Sequence, residues 1–211
     1  TSRRITELDR YVRAKRWKTE IEKDFFGIDV HHKTIGIVGM GRIGRAVAKR
    51  AARGFDMEVL YHKRRRDREA EDTLGVVYCE LPELLETSDF VCLTLPLTDE
   101  TRHLISEQEL KRMKPNAILI NGARGAVVDE DALIQALKGG TILAAGLDVF
   151  EEEPLPHDSE LLSLENVVIV PHIGSATEET RNRMISDGID NLLQALRGER
   201  PKNLLNTSLF E

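Results

Sequence analysis

Cysteine is scarce in this sequence: Cys79 and Cys92 are the only two among 211 residues. No Cys/His spacing resembles a metal site, and no metal is expected. Both thiols fall in β-like apolar stretches, where they read as small buried hydrophobes in a reducing compartment. Long apolar runs are missing too; none approaches the roughly 18 residues that a membrane-spanning helix requires. No basic-then-apolar leader opens the chain, so a cytoplasmic location is expected. There is no excess of positive charge. Thirty basic residues against 36 acidic ones leave a net charge of −6, which argues against non-specific binding to nucleic acid or to acidic membranes. Internal repeats, low-complexity segments and Pro-rich linkers are absent as well. What is there is 41% hydrophobic and 31% charged, the balance of a globular protein. The length suits one large domain, or one domain plus a fragment of another.

The chain opens on a charged, periodic segment. Ile5, Leu8, Val12 and Trp17 recur at rough helical spacing, which predicts an amphipathic helix over 6–18. From Thr34 the pattern changes to short apolar runs alternating with helical segments. Strands are predicted over 34–38, 58–61, 76–78, 89–95, 117–121, 143–149 and 167–170. Between them, helices are predicted over 42–53 (closed by Gly54), 81–87, 106–113 and 129–138. Ser106 and Glu109 are spaced as a capping box. A long amphipathic helix over 178–197 closes the pattern, with Met184, Ile185, Ile189, Leu192, Leu193 and Leu196 as its apolar stripe. Continuous apolar strands alternating with helices predict a parallel sheet covered on both faces.

Gly39-Met40-Gly41-Arg42-Ile43-Gly44 fits G-x-G-x-x-G and stands between a predicted strand and a predicted helix, the context that gives the motif weight. Gly39 permits the tight turn, Gly41 lets the backbone approach a pyrophosphate, and Gly44 lets the helix pack close to the strand. The helix N-terminus offers N–H groups and a positive dipole end to the anion. A site for NAD would place Asp or Glu at the end of the second strand, on the ribose 2′-hydroxyl. This sequence has His62-Lys63-Arg64-Arg65-Arg66 there, with no carboxylate before Asp67. Guanidinium groups match a 2′-phosphate, so NADP(H) is the expected cofactor, with Arg64 and Arg65 as the contacts. The ordinary alternative for such a run is a solvated face.

Three further motifs fall just past predicted strands: Asn121-Gly122-Ala123-Arg124-Gly125, the segment from Gly146 to Pro154, and Pro171-His172-Ile173-Gly174-Ser175. Ligands of open α/β sheets bind beyond the carboxyl ends of the strands. Taken singly, Arg124 reads as a surface charge, Glu153 as a solvated acid and His172 as a structural imidazole. In this order behind a phosphate-binding turn, they resemble the NAD(P)-dependent D-isomer-specific 2-hydroxyacid dehydrogenases, and most closely the glyoxylate/hydroxypyruvate and 2-ketogluconate reductase branch. The run from Asp29 to Gly44, the run Ser88-Asp89-Phe90-Val91-Cys92-Leu93, and Pro171 through Thr177 carry the resemblance.

That resemblance implies a doubly wound Rossmann domain and the reduction of small 2-keto acids to D-2-hydroxy acids. Arg124 would bind and polarise the substrate, His172 would donate the proton, Glu153 would hold His172 in its charged form, and Asp148 would lie near the nicotinamide carboxamide. The chemistry agrees: charge grows on the ketone oxygen as hydride arrives, and an acid within reach must supply a proton. The candidate cofactor positions are Gly39, Gly41, Arg42, Ile43 and Gly44; His62, Lys63, Arg64 and Arg65; Leu95 and Pro96; Ala123 and Arg124; and Asp148, His172 and Gly174.

The resemblance also implies three stretches: an inter-lobe helix and linker over 1–33, a cofactor domain over 34–174, and a returning C-terminal helix and tail over 175–211. In the family a flavodoxin-like substrate lobe is built from an N-terminal part that this chain lacks, so activity would depend on residues upstream. A homodimer is implied, with Leu8, Val12 and Trp17 partly involved, although Trp17 packing on its own domain is the simpler alternative. Two other functions stay open: a dinucleotide-sensing interaction protein of the corepressor type, and a cofactor-binding fragment without activity.

Overall fold

The computed structural model describes residues 1–210. Seven strands form one sheet: β1 (Thr34–Val38), β2 (Glu58–His62), β3 (Val77–Tyr78), β4 (Phe90–Leu93), β5 (Ile118–Asn121), β6 (Ala144–Leu147) and β7 (Val167–Ile169). Every pairing is parallel, in the order β3-β2-β1-β4-β5-β6-β7. The helices are α1 (Ile5–Arg13), α2 (Arg42–Phe55), α3 (Arg68–Leu74), α4 (Leu81–Thr87), α5 (Glu107–Arg112), α6 (Glu130–Lys138) and α7 (Glu178–Leu196). This is the doubly wound α/β architecture expected from the sequence.

Both faces of the sheet are dry because the side-chain period of a strand is two. Ile35, Ile37, Phe90, Cys92 and Ile118 point to one side, into a core completed by Ala48 and Ala51 of α2 and Ala70 of α3. Val38, Val91, Leu93 and Leu119 point to the other, where Leu84, Leu85, Leu110, Leu133 and Leu137 of α4, α5 and α6 cover them. Full burial of each large apolar side chain contributes about 1.5–3 kcal/mol. The chain lays down β1 in the middle, builds outward to β3, then crosses back to start again at β4. The strand order therefore reverses between β1 and β4, and the loops there splay apart into a crevice.

Local chemistry sets the helix ends. Asp129 caps α6 by accepting the Ala132 N–H at 3.0 Å, and the Ser106/Glu109 capping box forms as expected at α5. Three expectations are corrected. α2 runs past Gly54 to Phe55, and Asp56 in the left-handed region (φ 50) ends it instead. The first helix is shorter than 6–18: it stops at Arg13, and Trp17 lies outside it, 62% exposed. α3 was not expected, because Arg68–Leu74 buries only Ala70 and so lacks an apolar period. Its caps are clear: Asp67 accepts the Ala70 N–H, and Gly75 ends it at φ 69.

The chain divides into two compact units between Pro171 and His172. The first contains the whole sheet with α1–α6, so residues 1–33 fall within it. The second contains α7, whose N-cap Thr177 accepts the Thr180 N–H at 3.2 Å. Among the described residues, no helix is long and apolar enough to cross a membrane.

Cys79 and Cys92 are both buried and unpaired. Burial pushes each thiol up to about 11, so the reactive thiolate is suppressed at neutral pH. The folded chain is expected to release no chromophore from Ellman's reagent at pH 8, and two equivalents in denaturant. One fast equivalent in the native state would contradict this placement.

Candidate active site

The glycine turn links β1 to α2. Gly39 has φ 100, and a Cβ there would sit 2.8 Å from the Leu95 nitrogen. A Cβ on Gly44 would sit 2.2 Å from the Gly39 carbonyl oxygen. Both positions therefore require glycine, one for its conformation and one for close packing of helix on turn. Gly41 differs: a Cβ there would meet nothing within 4 Å, so its backbone faces open space. α2 carries no acidic residue in its first turn, whereas α3, α4, α5, α6 and α7 each carry at least one. No side-chain carboxylate of α2 itself therefore offsets its N-terminal dipole.

This turn forms one wall of a cleft of about 900 Å³ at the strand-order reversal. Gly39, Gly41, His62, Lys63, Arg64, Arg65, Leu95 and Pro96 all line it. The walls are tied together: the Gly39 N–H donates to the His62 carbonyl at 2.9 Å, and Lys63 Nζ donates to the Met40 carbonyl at 3.4 Å. His62 Nδ1 lies 3.1 Å from the Cys79 carbonyl, and its ring stacks on Tyr78. Arg64 and Arg65 are exposed and, among the described residues, have no hydrogen-bond or ion-pair partner. Arg42 and Ile43 are exposed at the head of α2, and Gly44 is buried behind them.

Sequence reasoning overlooked the third wall. Thr94, Thr98, Glu100, Thr101 and Leu104 also line the cleft. Thr94 Oγ1 donates to the Gly39 carbonyl at 2.5 Å, which braces the glycine turn. Its position directly after β4, on the carboxyl edge of the sheet, was the available signal. Glu100 accepts from the Thr98 hydroxyl at 2.7 Å. That bond, and to a smaller degree Arg64, holds its carboxyl below the usual range.

Farther along the same edge, Ala123 and Arg124 follow β5, and Asp148 follows β6. Asn121, buried at the end of β5, governs this loop: its Oδ1 accepts the Ala123 N–H, and its Nδ2 donates to the Arg124 carbonyl, each at 3.1 Å. Arg124 is exposed, and its Nη1 donates to the Ala123 carbonyl at 2.6 Å. The Asp148 N–H donates to the Asn121 carbonyl at 3.0 Å. Glu153 is exposed and accepts the Phe150 N–H at 3.0 Å. The first unit thus brings the cofactor-turn, basic-loop, Arg124, Asp148 and Glu153 positions onto loops of a single sheet. His172 and Gly174 belong to the second unit. His172 is exposed and takes a left-handed backbone, φ 49, a conformation that L residues adopt at some cost.

The arrangement fits a dinucleotide. The glycine turn leaves open space at Gly41 where a diphosphate could approach the backbone, and the basic loop stands at the end of β2 where the ribose would lie. Residues 1–174 match the family described as "D-isomer specific 2-hydroxyacid dehydrogenase, NAD binding domain". The chain is 57% identical over 210 residues to the glyoxylate/hydroxypyruvate reductase B of Enterobacter agglomerans, covering 100% of this chain and 65% of that protein. It is 58% identical to the reductase of that name from Shigella boydii serotype 4, over 98% of this chain and 64% of the relative. The chain thus spans a little less than two thirds of the length of these relatives. The crystal structure of the TT0316 protein from Thermus thermophilus superposes with a TM-score of 0.90 at 46% identity, covering 97% of this chain and 63% of that one.

Proposed function

The chain belongs to the D-isomer specific 2-hydroxyacid dehydrogenase family, and on that premise we propose that it serves the NADPH-dependent reduction of small 2-keto acids to D-2-hydroxy acids. Glyoxylate and hydroxypyruvate are the foremost substrates of this proposal, with 2-ketogluconate in the same chemical class. The observation that carries it is the cleft at the strand-order reversal. Its glycine wall accepts a diphosphate, and its opposite wall presents Arg64 and Arg65 in place of the carboxylate that an NAD site uses. The names of the similar reductases support the substrate class.

The bound dinucleotide would supply the hydride, and the protein orients and polarises. Arg124 holds the substrate carboxylate with its planar fork and places positive charge beside the ketone oxygen. His172 gives that oxygen its proton, and Glu153 is the carboxylate that favours the charged imidazole. Asp148, with Ala123, Leu95, Pro96 and Gly174, completes the nicotinamide end. A cytoplasmic homodimer, with α1 as part of the contact, belongs to the same proposal. Ile5 and Val12 are exposed on that helix, 68% and 49%.

Following NADPH absorbance with glyoxylate and with hydroxypyruvate tests the activity, both for this chain and for a version with additional upstream sequence. Oxidation in the longer form supports the reading; none in either form refutes it. Titration tests cofactor choice. NADPH is expected to bind at least about tenfold more tightly than NADH, the scale of one charge-assisted contact. The double variant Arg64→Ala, Arg65→Ala should erase the difference. Equal affinities in the parent chain would remove the basis for NADPH.

A further inference from the structure

Beneath the basic loop lies a polar network that dinucleotide binding alone does not require. Tyr61, the penultimate residue of β2, is fully buried, yet its hydroxyl works in two directions. It donates to Glu71 Oε1 at 2.6 Å and accepts the Asp67 N–H at 2.7 Å. Glu71, on α3, takes the Arg66 guanidinium in a fork, with bonds of 2.8 Å from both Nε and Nη2. Asp67 caps α3 and also accepts from Arg45 of α2 at 2.6 and 3.2 Å, and from Lys63 at 3.3 Å. Arg66 first, then Tyr61, holds the Glu71 carboxyl down at about 2, and burial leads in pushing the Tyr61 hydroxyl up to about 12. At neutral pH the network therefore keeps the charges and donors described.

We propose that Tyr61, Asp67 and Glu71 are positioning residues that set cofactor selectivity by sorting the charges of the loop after β2. The inference rests on the NADPH reading given above. Four consecutive residues, Lys63 to Arg66, are basic. Left alone they would repel one another and spread. The network pairs Arg66 with Glu71 and Lys63 with Asp67, so that of the four only Arg64 and Arg65, which line the cleft beside Lys63, have no carboxylate in ion-pair contact among the described residues. Two guanidinium groups match the roughly two negative charges of a phosphate monoester. The same network disposes of the carboxylate nearest in sequence. Asp67 is 9% exposed and its oxygens are taken by Arg45, Lys63 and the Ala70 N–H, so it has no free oxygen to offer a ribose 2′-hydroxyl. Two arginines are presented and one acid is withdrawn, and both follow from one tyrosine hydroxyl and two carboxylates.

Two variants test this by fluorescence titration of the full chain with NADPH and with NADH. Tyr61→Phe keeps the buried ring and deletes the hydroxyl; Glu71→Gln keeps the shape and releases Arg66. Each is expected to weaken NADPH binding about tenfold and to leave NADH binding within about twofold, because only the 2′-phosphate contacts depend on the sorted arginines. Glu71→Asp, which keeps the charge, should retain most of the preference. If both dinucleotides weaken equally, the network is merely structural and the proposal fails. If neither weakens while the parent chain still prefers NADPH, the proposal fails and the NADPH reading stands. If the parent chain shows no preference, that reading fails and takes this inference with it. Should Tyr61→Phe not fold, Glu71→Gln on the surface side of the network decides alone.

Discussion

His172→Ala is expected to lower kcat for glyoxylate reduction by about 10³-fold, the middle of the range for removal of a positioned general acid, with NADPH affinity unchanged. The reason lies in the order of charge movements. Hydride arriving at C2 leaves a full negative charge on the former carbonyl oxygen, and an alkoxide of a 2-hydroxy acid is far too basic to persist in water. A proton must reach it within the same event. His172 is the proposed donor, an imidazole being the side chain whose ordinary range brackets neutral pH. The residue comes three positions past β7, in an exposed turn, with a left-handed backbone. In the proposed site its removal would take away nothing that holds the diphosphate or the adenosine, since those contacts would come from the glycine turn and from the loop after β2. Steady-state assays at 340 nm, read as kcat and KM separately, make the measurement, with fluorescence titration for NADPH. A loss below tenfold would remove His172 from the role of acid. An equal loss of NADPH affinity would make it a cofactor contact instead.

Most of this fold was legible in the sequence because the parallel sheet is buried on both faces. The central strands read as short, largely apolar runs, and several breaks are marked: Asp89 and Pro96 flank β4, Gly122 follows β5 and Pro171 follows β7. The glycine turn was legible for the same local reason: at Gly39 and Gly44 a Cβ would collide with backbone, so the residue type records the geometry directly. What stayed hidden was set by tertiary partners. α3 offers one buried alanine, and only its caps betray it. Thr94 carries no motif; its importance comes from the oxygen of Gly39 lying 2.5 Å away, 55 residues back along the chain. The sorting of the basic loop was equally unreadable. In the sequence Lys63 to Arg66 are four like charges, and only the fold shows that Arg66 and Lys63 are paired with acids while Arg64 and Arg65 are left unpaired on the cleft that Lys63 also lines. Asp67 illustrates the limit. From spacing it was merely the first carboxylate after the run; in the structure it is a helix cap and an ion-pair hub with no oxygen to spare.

Arg124→Ala is expected to cost a further large factor, in kcat/KM more than in kcat alone. A bidentate guanidinium–carboxylate pair combines two charge-assisted bonds of about 1.5–3 kcal/mol each. Their loss predicts about 10³-fold at roughly 1.36 kcal/mol per decade. The loop would hold such a contact rigid. Asn121 is buried and spans the turn with both ends of its amide, fixing the Ala123 N–H and the Arg124 carbonyl. The next residue is locked from the other side: a Cβ on Gly125 would fall 1.8 Å from the Phe150 carbonyl carbon and oxygen, so the two loops are already in backbone contact. The Arg124 backbone therefore cannot drift, and only the side chain is free to meet a ligand. One of its five N–H donors is spent on the Ala123 carbonyl, and the others would be available to the proposed substrate carboxylate. Arg124→Lys should recover charge but not the fork, and so restore less than about a tenth of the lost kcat/KM. NADPH affinity should stay within about twofold in both variants, because in the proposed site the diphosphate would be held by α2 and its turn. A lysine variant as active as the parent would show that a point charge suffices there. That result would leave the rigid geometry of the 121–125 loop without a purpose in substrate binding.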